Sequence, residues 1–348
     1  MKITSTLLGA FSLSMLSFAA CASRPAAQGI SGTVRAPAAG TAQAALTQNE
    51  NRPQIFTFES DASGFNTKTF FYDNGAEVVA FDTQFTPQAA QASIDFLRTK
   101  TNHPLTLAVI THPNPDKFNG MLTFQAAGAK IVASDLTVQN MPAAQSYKQY
   151  YFVHMAHSFT DDSYPKLGKV DQVFSGKTDL ILKNGERIKL QELGRPGVST
   201  NQTVVHIPRV NALMVEDLVH HKAHAWLEGG IVLGNPTPTV DQWIQILEQL
   251  KTEYAALNPT VYGGRGEAAE LQITIPEQVN YLLRAKQIVY DYVSRLGDRR
   301  AELSGPDAGA HYAALQQIFE STFPDYKLGY MIQYGVYGLV NSMNSLQK

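Results

Sequence analysis

The 348-residue chain has one cysteine, Cys21. A single thiol cannot build a disulfide framework, nor a Cys-rich zinc or iron–sulfur site. An excess of either charge is also missing: 28 Lys and Arg stand against 30 Asp and Glu, a net −2. That balance supplies no electrostatic footing for a nucleic-acid partner. The apolar run at residues 7–20 has fourteen residues, short of the ~20 that a membrane-crossing helix needs. No internal repeat is visible. What the chain does have is 44% hydrophobic residues, enough for a sizeable core.

The N-terminus reads as an address. Met1-Lys2 is a short basic start, residues 7–20 match the apolar region of an export signal, and the run closes on Phe18-Ala19-Ala20-Cys21. This resembles the lipobox of bacterial lipoproteins, which implies lipidation of Cys21; Phe18 departs from the usual Leu. Ordinary cleavage at Ala20-Cys21-Ala22, of A-x-A form, is the competing reading. Residues 22–52 are dominated by Ala, Gly, Ser, Thr and Pro without apolar period, so they read as a flexible linker. The expectation is an exported, periplasmic protein, lipid-anchored to the outer membrane and meeting the membrane only through that anchor.

Strand signals follow at residues 54–58, 68–73 and 77–83, the last two joined by Asp73-Asn74-Gly75. Thr86-Pro87 opens a helix. The continuous apolar run at residues 105–111 predicts a buried strand. Further strands are expected at 130–134, 179–183, 186–193, 203–208, 211–215 and 260–262, and a helix at 241–257 with the capping box Thr239-x-x-Gln242. Hairpins mixed with strand–helix–strand units give an α/β (α+β) sandwich. Residues 269–348 form a helical C-terminal extension, its last stretch rich in Tyr330, Tyr334, Tyr337 and Gly. Core packing is the simplest role for those tyrosines; a partner surface is the other.

Three polar clusters end strands, where α/β folds place their sites. They are Thr111-His112-Pro113-Asn114-Pro115-Asp116-Lys117, then Glu216-Asp217-Leu218 with His220, His221 and His224, then Tyr262-Gly263-Gly264-Arg265-Gly266. Their order and spacing resemble the metallo-β-lactamase superfamily, with its H-x-H-x-D-H, G-H-T, G-D-L and G-H-G motifs. Phe81-Asp82-Thr83 resembles that family's early I-D-T strand. The resemblance covers residues 54–268 and implies a four-layer αββα sandwich over residues 53–268, carrying its site at one edge between two sheets. It also implies hydrolysis of an ester, thioester, amide or lactam at two zinc ions.

The ligand set has changed. By the resemblance, His112 and Asn114 stand in H-x-H, Val198 at the G-H-T histidine (Arg195 if the alignment slips), Asp116 and Lys117 in D-H, Asp217 in G-D-L and Arg265 in G-H-G. Zinc takes about four neutral-imidazole or carboxylate ligands. A protonated lysine or arginine has no lone pair and repels the ion. The expectation is therefore no cofactor, with one zinc on His112, Asp116 and Asp217 as the alternative, His224 assisting. Lys117 and Arg265 are expected either to neutralise Asp116 and Asp217 or to bind, with Asn114 and His224, a small anionic ligand or substrate.

Three functions stay open: a degenerate hydrolase-fold protein, inactive or metal-independent; an active single-metal hydrolase using His112, Asp116, Asp217, Lys117 and Arg265; and a non-catalytic envelope interaction protein using the Tyr-rich tail. His154 and His157, beside Tyr147, Tyr150 and Tyr151, stand in a segment read as a lid, a wall or a surface helix. The Gly263–Gly266 turn lacks the strand–helix unit of a phosphate loop, no G-x-S-x-G elbow occurs, Ser199 has no evident base, and Asn201-Gln202-Thr203 carries no meaning in a bacterial export context.

Overall fold

The computed structural model describes residues 52–346. The segments expected to be an export signal ending at Cys21 and a linker, up to Asn51, lie outside the described residues.

Two six-stranded sheets face each other. The first is built in chain order from β1 (Gln54–Glu59), β2 (Lys68–Asp73), β3 (Val78–Phe81), β4 (Leu105–Ile110), β5 (Lys130–Ser134) and β6 (Gln172–Phe174). The β1–β2 and β2–β3 pairs are antiparallel and the remaining three parallel. The second runs β14-β13-β10-β9-β8-β7, from β7 (Lys177–Ile181), β8 (Arg187–Glu192), β9 (Thr203–Ile207), β10 (Ala212–His221), β13 (Thr260–Gly266) and β14 (Ala269–Glu270). A small hairpin, β11 (Gly230–Val232) with β12 (Asn235–Thr237), was not legible in the sequence pattern.

Strand alternation sorts the side chains into layers. Phe70, Tyr72, Val79, Phe81 and Val109 meet Ile188, Leu190, Val205, Ile207 and Met214 between the sheets. Their neighbours Phe71, Val78, Ala80, Ala108 and Ile110 point outward. They pack on α1 (Pro87–Arg98), α2 (Pro115–Phe118), α3 (Met121–Ala126) and α4 (Asp135–Tyr150). The far face of the second sheet is covered by α5 (Val240–Tyr254) and α6 (Leu271–Leu296), with α7 (Ala308–Thr322), α8 (Tyr330–Gly335) and α9 (Tyr337–Leu346) joining the same core. The architecture is an αββα sandwich with helices appended at the C-terminus. The extension is continuous with it: β14 pairs with β13 at Val261↔Ala269, and α6 shares its core with α5.

Several local expectations shift. Thr86 caps α1 as read, its side chain accepting from Ala89 N at 3.1 Å. Thr239 does not cap α5; its hydroxyl donates to Gly197 O at 2.9 Å, drawn off by a neighbouring loop. α6 begins at Leu271 and carries Pro276 in its second turn, where the missing N–H removes the i→i−4 bond to the Gln272 carbonyl. β10 does not stop at Val215. It continues through the acidic motif to His221, with register breaks on either side of Glu216, whose φ is 47°.

Candidate functional site

The three clusters converge at one edge between the sheets. Each is held there by local structure. Thr83 N and Oγ1 both donate to the Lys117 carbonyl, at 2.7 and 2.8 Å. A β-carbon on Gly120 would lie 1.8 Å from Thr83 O, so only glycine lets that turn approach the strand end. Asp82, at φ 62°, accepts from Thr111 N at 2.8 Å and Thr111 Oγ1 at 2.8 Å. The break at Glu216 turns Asp217 into the cleft, and Trp243 Nε1 donates to the Leu218 carbonyl just beyond it. A β-carbon on Gly264 would fall 1.8 Å from Asp217 Oδ1.

The result is a buried ion-pair network. Asp217 Oδ1 accepts from Lys117 Nζ at 2.9 Å and from Arg265 Nη1 at 2.6 Å. Asp116 Oδ2 lies 3.2 Å from both Lys117 Nζ and Arg265 Nη2. Thr67 Oγ1 bridges the same corner, donating to Asp116 Oδ2 at 2.8 Å and accepting from Arg265 Nη2 at 2.9 Å. Arg265 Nε donates to the Phe65 carbonyl at 3.1 Å. Lys117 is fully buried and Arg265 is 3% exposed.

Geometry sets the charges. Burial pushes the Asp217 carboxyl up, but Arg265 and Lys117 overcome it and hold it well below the ordinary carboxylate range. Asp116 is likewise held low, Lys117 prevailing over burial. The same partners raise Lys117 and Arg265 against burial, so both stay cationic. Glu216 differs. Neither of its carboxyl oxygens has a hydrogen-bond partner, and Lys117 Nζ is 3.8 Å away. Burial and the neighbouring Asp82 push its pKa well up, against the pull of Lys117. Burial also pushes Asp82 up to about 6.

Among the residues singled out from sequence, His112, Asp116, Lys117, Asp217 and Arg265 come together. His112 Nε2 is 3.5 Å from Asp217 Oδ2 and its Nδ1 contacts Thr111 Oγ1 at 2.9 Å. Asn114 lies beside them; Ser199 Oγ donates to its Oδ1 at 3.1 Å. Ser199, not Val198, is therefore the loop residue that reaches this site, for Val198 packs in the core. His224 is not brought to the cluster. Its ring is caged by Tyr281, Phe319, Phe323 and Tyr326, with Nδ1 3.2 Å from Tyr281 Oη. His220 takes the nearer place, Nε2 lying 3.5 Å from Asp217 Oδ1. His221 turns outward to Glu277 at 3.1 Å.

Sequence reading missed four contributors. Glu216 was legible as half of an acidic pair. Phe65 and Thr67 carried no signal, being distant residues of a loop. The mouth of the site was the fourth: a cavity of about 50 Å³ lined by Phe65, Phe85, Phe152, Trp226 and Met331 above Asp116, Asp217 and Arg265. Phe152 comes from a π-helical turn, Tyr151–Met155, that continues α4; it supplies the wall, whereas His154 packs on Tyr150. Two of the tail tyrosines pack inward, Tyr330 Oη on Asn66 Oδ1 at 2.8 Å and Tyr337 Oη on Tyr147 Oη at 2.9 Å, whereas Tyr334 is exposed.

A dinuclear zinc centre does not fit these side chains. Two cations that cannot ligate already contact both acids. Lys117 and Arg265, on which the expectation of an anionic ligand rested, are buried and engaged with Asp116 and Asp217.

A solved structure shares the architecture. A metallo-β-lactamase from Pontibacter korlensis aligns with a TM-score of 0.50 and 18% identity, over 67% of this chain and 99% of its own. The DIM-1 metallo-β-lactamase exposed to ceftazidime aligns at 0.47 and 15%, over 67% and 97%. No protein-family model matches the chain. At this identity the likeness shows the fold: the chain has the metallo-β-lactamase, hydrolase-like αββα fold.

Proposed function

We propose that this chain is an exported protein in which a built-in ion-pair network replaces the metal centre of a hydrolase fold, leaving a small-molecule binding site without zinc-dependent hydrolysis. The observation that carries it is the sharing of Asp217 Oδ1 between Lys117 at 2.9 Å and Arg265 at 2.6 Å, with Asp116 facing the same two cations. Zinc catalysis needs an ion to lower the pKa of its bound water to about 7. Here the acids that would face the ion are neutralised by side chains instead. Export and envelope attachment rest on residues 1–21 and Cys21.

A second reading keeps one metal on His112, Asp116 and Asp217. One observation favours it: Nε2 of His112 and of His220 lack hydrogen-bond partners, and each lies 3.5 Å from Asp217. Metal analysis of chain purified without chelator separates the two. The proposal expects well under one zinc per chain, and no zinc-dependent turnover of ester or lactam substrates. About one zinc per chain, lost on Asp217→Ala, overturns it. Joint Asn114→His, Lys117→His, Ser199→His and Arg265→His substitution is expected to introduce zinc binding.

A further inference from the structure

The wall of the mouth holds a second, smaller constellation. Glu228 is 2% exposed. Its Oε2 accepts from Trp226 Nε1 at 2.8 Å and is ion-paired with Lys148 Nζ, while its Oε1 has no partner. The same Lys148 ammonium stands 5.1 Å from the centroid of the Trp226 ring and 5.6 Å from that of Tyr147. Phe65 meets Trp226 edge-on at 5.8 Å. Behind them, α8 and α9 close in through glycines. A β-carbon on Gly335 would come within 2.9 Å of the Trp226 ring, and one on Gly338 within 2.2 Å of Glu228 O.

A buried carboxylate beside an indole face and a phenol ring is the chemistry that recognises an organic ammonium group. We infer that this is an ammonium-binding pocket, self-occupied by Lys148, and that the ligand of the site is a small molecule bearing an aliphatic amine, which displaces that side chain. The inference rests on the binding-site reading proposed above and names its ligand class. Three facts support it. Lys148 is a long side chain on the flank of α4, 13% exposed, so its head can leave by rotating into water. Exchange of one ammonium for another leaves the local charge unchanged, whereas an anion that displaced Lys148 would face the Glu228 carboxylate with its counter-charge removed. And the free Oε1 of Glu228 offers an acceptor that Lys148 leaves unused.

The test uses n-propylammonium, which reproduces the atoms that Lys148→Ala removes, read by Trp226 fluorescence. Lys148→Ala is expected to bind it saturably and at least about tenfold more tightly than the wild type, the tethered competitor being gone. Adding Glu228→Gln should remove that gain. Equal binding of n-propanol or propionate, an unchanged Lys148→Ala, or indifference to Glu228→Gln overturns the inference. If Lys148→Ala fails to fold, the wild type decides. Molar n-propylammonium must shift its emission while Glu228→Gln stays silent, and a wild type that shows no shift overturns the inference. Zinc held through Asp217 would sink the metal-free reading and leave the amine titration standing, so the two failures are distinguishable.

Discussion

Asp217 lies within β10 and His224 just past its end, yet they finish in opposite surroundings. Asp217 sits among charges: Lys117, Arg265 and, through them, Asp116. His224 sits among rings: Tyr281, Phe319, Phe323 and Tyr326. Both are buried. The first is tolerated because every charge has a counter-charge within hydrogen-bond reach. The second is tolerated because the ring stays neutral, burial lowering its pKa to about 4. Burial of a polar group thus has two solutions within one short stretch of chain, and a motif alone does not say which one a histidine or an acid will adopt.

The comparison can be broken most strongly at Asp217. Asp217→Ala leaves Lys117 and Arg265 buried with Asp116 as their nearest remaining carboxylate, and is expected to cost about 3–5 kcal/mol in urea unfolding. A loss below ~1 kcal/mol would mean that the network is weakly coupled. Thr67→Val keeps the shape of the loop but removes the hydroxyl between Asp116 and Arg265; about 1.5–3 kcal/mol is expected from the same measurement. His224→Phe should be milder, under about 1.5 kcal/mol at neutral pH, since a ring replaces a ring.

Its pH dependence sharpens the contrast. Below the ordinary value of 6.5 the unfolded chain takes up a proton that folded His224 refuses until about 4. Stability therefore falls as pH drops from 6.5 towards 4 and is flat for this group above 6.5. In His224→Phe that fall should be shallower, with the contribution of His220, also lowered by burial, remaining. An acid limb as steep as the wild type's would place the His224 ring outside its aromatic cage.

Much of the frame was legible locally. Alternation and turn residues placed β2, β3, β5 and β9 within a residue or two, because each strand's faces are set by its own side chains. The motif order pointed to the sandwich and to His112, Asp116, Lys117, Asp217 and Arg265 as neighbours. The aromatic wall was not legible. Phe65, Phe152 and Trp226 are scattered along the chain, and nothing in their local pattern distinguishes a pocket wall from a core. The length of β10 was hidden for a related reason: the positive φ at Glu216 is a backbone distortion imposed by pairing with β13.

The sequence by itself determined the inventory: a fold with two layers of strands, two acids at strand ends, and lysine and arginine where ligating histidines would stand. Tertiary structure decided the partners. Arg265 meets Asp116 and Thr67 across 149 and 198 residues of chain, and Lys148 meets Glu228 across 80. Such pairings depend on where separate strands and helices converge. Local propensity sets which face a side chain takes, but distances between elements come only from packing two sheets and their helices against one another.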